Sequence, residues 1–181
     1  MTPTDELKQE HQTILRVLNA AEREVTRIIQ TYRADIRKIV AILDFFKNFN
    51  DRFHNAKEEG LLFERIVSRG MPADEGPIAV MLQEHGEGRR RLKVVADVLP
   101  RVKGGDRGAL ALLKDNLESY ARLLRMHMLK EDRVLYPRAD ALLSSRDKRE
   151  LAAAFEEIES REMGEGAHVN YHELAYSLAP A

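Results

Sequence analysis

This chain predicts an all-α fold: an up-down-up-down four-helix bundle with an additional C-terminal helical segment. Three observations carry that prediction. The composition is rich in Leu, Ala, Glu, Arg and Lys, all good helix formers, and contains no Trp. No segment alternates apolar and polar residues at period two for long enough to make a strand. Glycine and proline, 10 and 6 of 181 residues, punctuate long stretches with helical periodicity.

Thr2-Pro3 reads as a cap followed by proline in the first turn, with Asp5 placed for a capping box, so helix one runs from Pro3 to about Gln30. Leu7, Ile14, Ala21 and Ile28 form one apolar row and His11, Leu18 and Val25 the next. Helix two spans about Asp35 to Ser68 and stops at Gly70-Met71-Pro72, with Ile39, Leu43, Phe46, Asn50, His54, Glu58 and Leu61 as its stripe. Helix three runs from about Asp74 to Val102, its inner face reading Ile78, Met81, His85, Gly88, Leu92, Val95 and Leu99. Helix four begins near Asp106, carries Leu110, Leu113, Leu117, Tyr120, Leu124, His127, Glu131 and Val134 inward, and ends at Tyr136-Pro137. Short connections make sequential helices antiparallel neighbours around one seam. Beyond Pro137, Ser144-Ser145 caps a shorter helix with Leu151, Phe155 and Ile158, ended by Gly164 or Gly166, and residues 168–178 add a last turn or two. The expected division is a bundle over 1–137 and an extension over 138–181 that packs on its outside.

The composition excludes several function classes. With no cysteine, disulfides, iron–sulfur clusters, thiolate zinc sites and cysteine nucleophiles are ruled out. A net charge of -1 gives no electrostatic case for nucleic acid or an anionic membrane. No stretch reaches the roughly 18 apolar residues of a membrane span, and MTPTDELKQEH lacks a signal-peptide core. The expected setting is the cytoplasm. A homodimer is compatible with the chain.

The core stripes contain polar residues where leucine belongs. His11, His54, His85 and His127 sit one per helix, and Glu58 and Glu131 each follow a histidine by four residues, on the same helical face. Depth follows from counting to the turns. His11 lies 22 residues before Arg33 and His54 21 after it. His54 and Glu58 lie 16 and 12 before Gly70, and His85 lies 15 after it. His85 lies 20 before Gly105, with His127 and Glu131 22 and 26 beyond. At about 1.5 Å per residue, all six groups fall in one slab about a turn thick. Buried carboxylates need partners. Imidazole and carboxylate without thiolate suit iron, manganese or zinc, and two metals bridged by Glu58 and Glu131 would keep positions open for a small ligand.

Other residues carry weaker signals. Glu59 is offset by about 140° from His54, against about 40° for Glu58, so it turns away from the site. Glu84, adjacent to His85, is expected to face elsewhere. Tyr120 is read as core with its hydroxyl at a boundary, and His168 and His172 as a solvated helix face. Arg89-Arg90-Arg91 is a solvated charge run, with Arg89 at the site's edge.

Glu10-His11, HNAKEEGLLF from His54, QEH ending at His85 and HMLKEDRVLYP from His127 together resemble the hemerythrin-like (HHE cation-binding) domain family over about residues 5–137. The resemblance implies two iron ions, with His11, His54, His85 and His127 as terminal ligands and Glu58 and Glu131 as bridges; manganese or zinc would be substitutes. It further implies a protein that binds or reduces a small diatomic or peroxide ligand, such as O2, NO or peroxide. The alternative is an iron or oxygen sensor without turnover. A metal-free bundle with a polar core is a third reading. Oxygen-carrying members have a further histidine four residues after the third, where this chain has Arg89, leaving one metal a ligand short. The iron-centre repair proteins carry a cysteine-containing segment that this cysteine-free chain does not match.

Overall fold

The computed structural model describes residues 1–163 and 167–178, the side chains of 162, 163 and 167–169 excepted. The described residues form helices and contain no strand. Helix α1 (Pro3–Thr31) begins as expected: the Thr2 hydroxyl accepts from the Asp5 N–H at 3.1 Å, and the Thr2 N–H donates to the Asp5 carboxylate at 2.9 Å. Helix α2 (36–68) is capped by Asp35, α3 is Gly76–Lys103, and α4 (107–142) is capped by Asp106. These four make the bundle. No described helix is long and apolar enough to cross a membrane.

Helices α2 and α4 are not regular α-helices throughout. Phe46–Asn55 and Glu58–Leu62 in α2, and Glu131–Leu135 in α4, are π-helical, with i→i+5 bonding. Their wider turns correct two expectations. Each π turn uses one more residue per turn, so the inner stripe of α4 steps from Glu131 to Leu135, which is buried, and Val134 is 41% exposed. Helix α4 also continues past Pro137 to Leu142. The π segment ends at Leu135, so Pro137 falls in the first turn of the next α segment, where a missing N–H costs little.

The C-terminal extension begins with α5 (Ser145–Ile158), capped by Ser144 as expected and running into a π-helical turn at Glu159–Met163. Helix α6 (Ala167–Leu178) follows; Gly164 and Gly166 lie outside the described residues. Both helices pack against the α1–α2 side of the bundle. This cover explains why Phe45, Phe49 and Phe53, which fall off the expected stripe of α2, have no exposed surface. Tyr171 of α6 meets the rings of Phe45 and Phe49 at 6.0 and 6.1 Å. His172 is no part of a solvated face: its Nδ1 sits 3.1 Å from the Thr13 hydroxyl and its ring lies edge-on to Phe49.

The interior is built in two parts. Ile14, Val17, Leu18, Phe46, Leu113, Leu117 and their neighbours fill the half towards the α1–α2 and α3–α4 turns. A smaller cluster including Leu7, Phe63, Met81, Tyr136, Leu151 and Phe155 fills the opposite end. The polar layer lies between them.

Candidate metal centre

All six predicted residues are brought together. His11, His54, Glu58, His85, His127 and Glu131 are each at most 4% exposed. Their ligand-type atoms fall into two groups, Glu58–His85–His127–Glu131 and His11–His54–Glu131, each with all atoms within 4.8 Å of one another. Glu131 belongs to both. Its two oxygens divide the task, lying 3.0 Å from His127 Nε2 and 3.3 Å from His11 Nε2. Glu58 Oε2 lies 3.4 Å from His85 Nε2 and 3.7 Å from His54 Nε2. The facing Nε2 atoms of His85 and His127 are 2.9 Å apart, and those of His11 and His54 are 3.2 Å apart.

What turns these four Nε2 atoms inward is a ring of outer carboxylates on Nδ1. Glu10 of α1 holds His54 of α2 at 2.7 Å. Glu59 of α2 holds His85 of α3 at 2.6 Å. Glu84 of α3 holds His127 of α4 at 2.9 Å, and Asp132 of α4 returns to His11 of α1 at 2.9 Å. Each carboxylate is the chain neighbour of an inner residue: Glu10 of His11, Glu59 of Glu58, Glu84 of His85 and Asp132 of Glu131. The reason is helical geometry. When one residue points at the bundle axis, the next points about 100° away, into the interface with the neighbouring helix. Glu59 and Glu84 do face away from their own helix's ligand, as the sequence predicts, but they land on the next helix's histidine. None of the four, nor Tyr136, stands out as a supporting group on sequence; the one available signal was the repeated acid beside each inner residue.

Cations back three of these carboxylates. Lys57, with no exposed surface, bridges Glu6 and Glu10 at 2.6 Å each, and its ammonium lies over the Phe53 ring at 4.0 Å and the Phe155 ring at 5.2 Å. Arg89 binds Glu59 at 2.6 Å and Asp51 at 2.7 Å, and Lys130 pairs with Glu84. Arg89 thus takes the edge position expected of it. Tyr136 donates its hydroxyl to Glu58 Oε1 at 2.6 Å, and its ring stacks on His11 with centroids 5.6 Å apart.

Three buried carboxylate oxygens, Glu58 Oε2 and both of Glu131, accept no hydrogen bond. Leaving such groups unpaired costs about 1–3 kcal/mol each, more when charged. The anionic field shows in the imidazoles. Burial opposes protonation of His11, yet Asp132 and Glu131 raise its pKa to about 10. Against the same opposition, Glu131 and Glu84 raise His127 to about 10, and Glu58 and Glu59 raise His85 to about 9. Imidazole nitrogens turned inward by Nδ1 partners, together with two buried carboxylates that face only those imidazoles and the Tyr136 hydroxyl, form a donor set that fits divalent cations and no thiol-seeking metal.

A cavity of about 300 Å³ between α2, α3 and α4 reaches His85 and His127. Of the inward-facing apolar residues near this layer, Leu92 and Leu124 line the cavity, and Leu18 and Phe46 belong to the apolar core.

Uncharacterized proteins of Mycobacterium bovis and Mycobacterium tuberculosis are 23% identical to this chain over 165 residues, 91% of its length. The chain spans 64% of the length of these relatives. No solved structure matches it. The family model of the hemerythrin HHE cation binding domain matches residues 2–139, which include every inner and outer residue of the polar layer, and the chain belongs to that family.

Proposed function

We propose that this chain is a non-haem di-iron protein that binds or reduces a small ligand such as O2, NO or peroxide, in the cytoplasm. One observation carries the reading: Glu131 places one buried oxygen in each of two histidine pairs, and the His85–His127 pair adjoins a cavity. His11, His54 and Glu131 would hold one metal; His85, His127, Glu58 and Glu131 the other. Iron, when bound, supplies an open coordination position and electrons for a small oxidised ligand. The protein does the rest. The outer carboxylates fix each imidazole with Nε2 inward. Tyr136 keeps a proton on its hydroxyl, 2.6 Å from Glu58 and 3.3 Å from His11 Nε2. Arg89, held by Asp51 and Glu59, supplies no further ligand on the cavity side.

The test is metal analysis of protein purified without chelator. Two irons per chain and a charge-transfer band near the ultraviolet edge are expected, with rapid oxidation of the reduced protein by O2, NO or peroxide in stopped flow. Absence of bound metal overturns the reading. One contact favours a sensor instead: the Phe155 ring of α5 lies against Lys57, which holds Glu10 and through it His54. Loosening of α5 on metal removal, with no consumption of ligand, would establish that role in place of turnover.

A further inference from the structure

The cavity beside His85 and His127 is too large for the small ligands just named. A water molecule's share of liquid volume is about 30 Å³, and a cavity of about 150 Å³ holds benzene. This one encloses about 300 Å³, at the lower end of small-molecule sites. Leu43, Leu92, Leu123 and Leu124 give it apolar walls. A ring from α4 completes it: Gly88 lacks the Cβ that would stand 3.3 Å from Tyr120 Cε2, so the Tyr120 ring packs close against α3.

Two polar atoms in this lining have nothing to bond. Asn50 is 4% exposed and Tyr120 2% exposed, and neither Asn50 Oδ1 nor the Tyr120 hydroxyl has a hydrogen-bond partner. Tyr120 therefore departs from the expected core tyrosine with a boundary hydroxyl. An acceptor and a hydroxyl left without partners beside a largely apolar cavity call for a ligand that both donates and accepts. The charged residues of the lining are engaged with one another: Arg89 pairs with Asp51 and Glu59, and Glu84 with His127 and Lys130, while Lys47 and Lys93 are exposed.

We propose that this cavity binds an uncharged, mainly apolar organic molecule of about a dozen non-hydrogen atoms bearing one hydroxyl-type oxygen, either an alcohol or a hydroperoxide. Its O–H donates to Asn50 Oδ1, and its oxygen accepts from Tyr120. This deepens the di-iron reading, on which only the bound molecule's access to the metal rests; binding itself does not depend on metal.

The experiment uses the full chain in metal-free and zinc-loaded forms, titrated calorimetrically with 2-phenyl-2-propanol and with isopropylbenzene, the same skeleton without the hydroxyl. We expect one site per chain in both forms, with the hydrocarbon about fivefold to tenfold weaker for want of the hydrogen bonds. Leu92→Trp fills the cavity and abolishes binding while its zinc content and melting curve stay those of a folded bundle. Asn50→Leu with Tyr120→Phe removes the preference for the alcohol but keeps the hydrocarbon. Consumption of cumene hydroperoxide by the iron(II)-loaded protein, lost in Leu92→Trp, identifies the hydroperoxide as the ligand; binding of the alcohol without such consumption identifies the alcohol. No saturable binding by the wild type, or unchanged binding by Leu92→Trp, overturns the proposal. Failure of the chain to take up metal would defeat the di-iron reading alone, because the metal-free titration stands apart from it.

Discussion

The two histidine pairs differ in what surrounds them more than in what they contain. His85 and His127 face a cavity, and their outer carboxylates, Glu59 and Glu84, are 28% and 18% exposed. His54 is backed by Glu10, 5% exposed, which Lys57 and the ring of Phe155 cover in turn, and His11 is roofed by the Tyr136 ring. The six inner residues look equivalent in the sequence. The packing makes one pair accessible and the other a buttressed anchor, and the described helices of the C-terminal extension pack on the α1–α2 side, behind the anchored pair.

The largest effect tests which group joins the pairs. Glu131→Ala removes an oxygen from both, so metal analysis should find neither metal retained. Glu58→Ala should keep the metal held by His11, His54 and Glu131 and lose the one on the cavity side. Loss of both metals from Glu58→Ala would erase the distinction between the pairs.

Next in size is the contrast between the cations. Lys57→Met leaves Glu6 and Glu10 facing each other without a cation and should cost about 3 kcal/mol. Thermal unfolding should fall by about 6–12 °C for a chain this long. Lys130, 37% exposed, serves Glu84 from the solvent side, and Lys130→Met should cost less than about 1 kcal/mol. Equal losses would mean that the covered side is not the stiffer one.

The smallest effect concerns how the extension is fastened. Arg69, Ser144 and Arg65 hold the Asp147 carboxyl well below the usual carboxylate range, joining the end of α2 to the start of α5. Because the folded pKa is depressed, this stabilisation is fully present above about pH 4, the unfolded value, and fades as pH falls towards the folded one. Denaturant unfolding of wild type and Asp147→Asn should therefore differ most at pH 6 and by less at pH 3, the gap narrowing further as pH falls. A gap that widens in acid would contradict the fastening.

Much of the fold and the inner site could be read from spacing alone. Helical period and turn positions suffice to set four residues at one depth, as they did for His11, His54, His85 and His127. Period also misled where the backbone changed it: Val134 was placed inside by an α-helical count that the Glu131–Leu135 π turn breaks. Pro137 was read as a stop because nothing local marks a π-to-α junction. The outer carboxylates were missed for another reason. Each serves a different helix, so Glu84 and His127 stand 43 positions apart, and only knowing which helices are neighbours makes them a pair.

The carboxylate ring runs in a single direction, α1 to α2 to α3 to α4, and then must close. Its last link joins Asp132 to His11, 121 positions apart, and within the ring this link alone runs from the end of the bundle back to its beginning. A nascent chain can therefore prepare three imidazoles in order of synthesis while the first waits, unheld, for the fourth helix to emerge. Cation capture becomes a late event in maturation, and a chain cut short before residue 132 would leave the ribosome with a ring that never shuts.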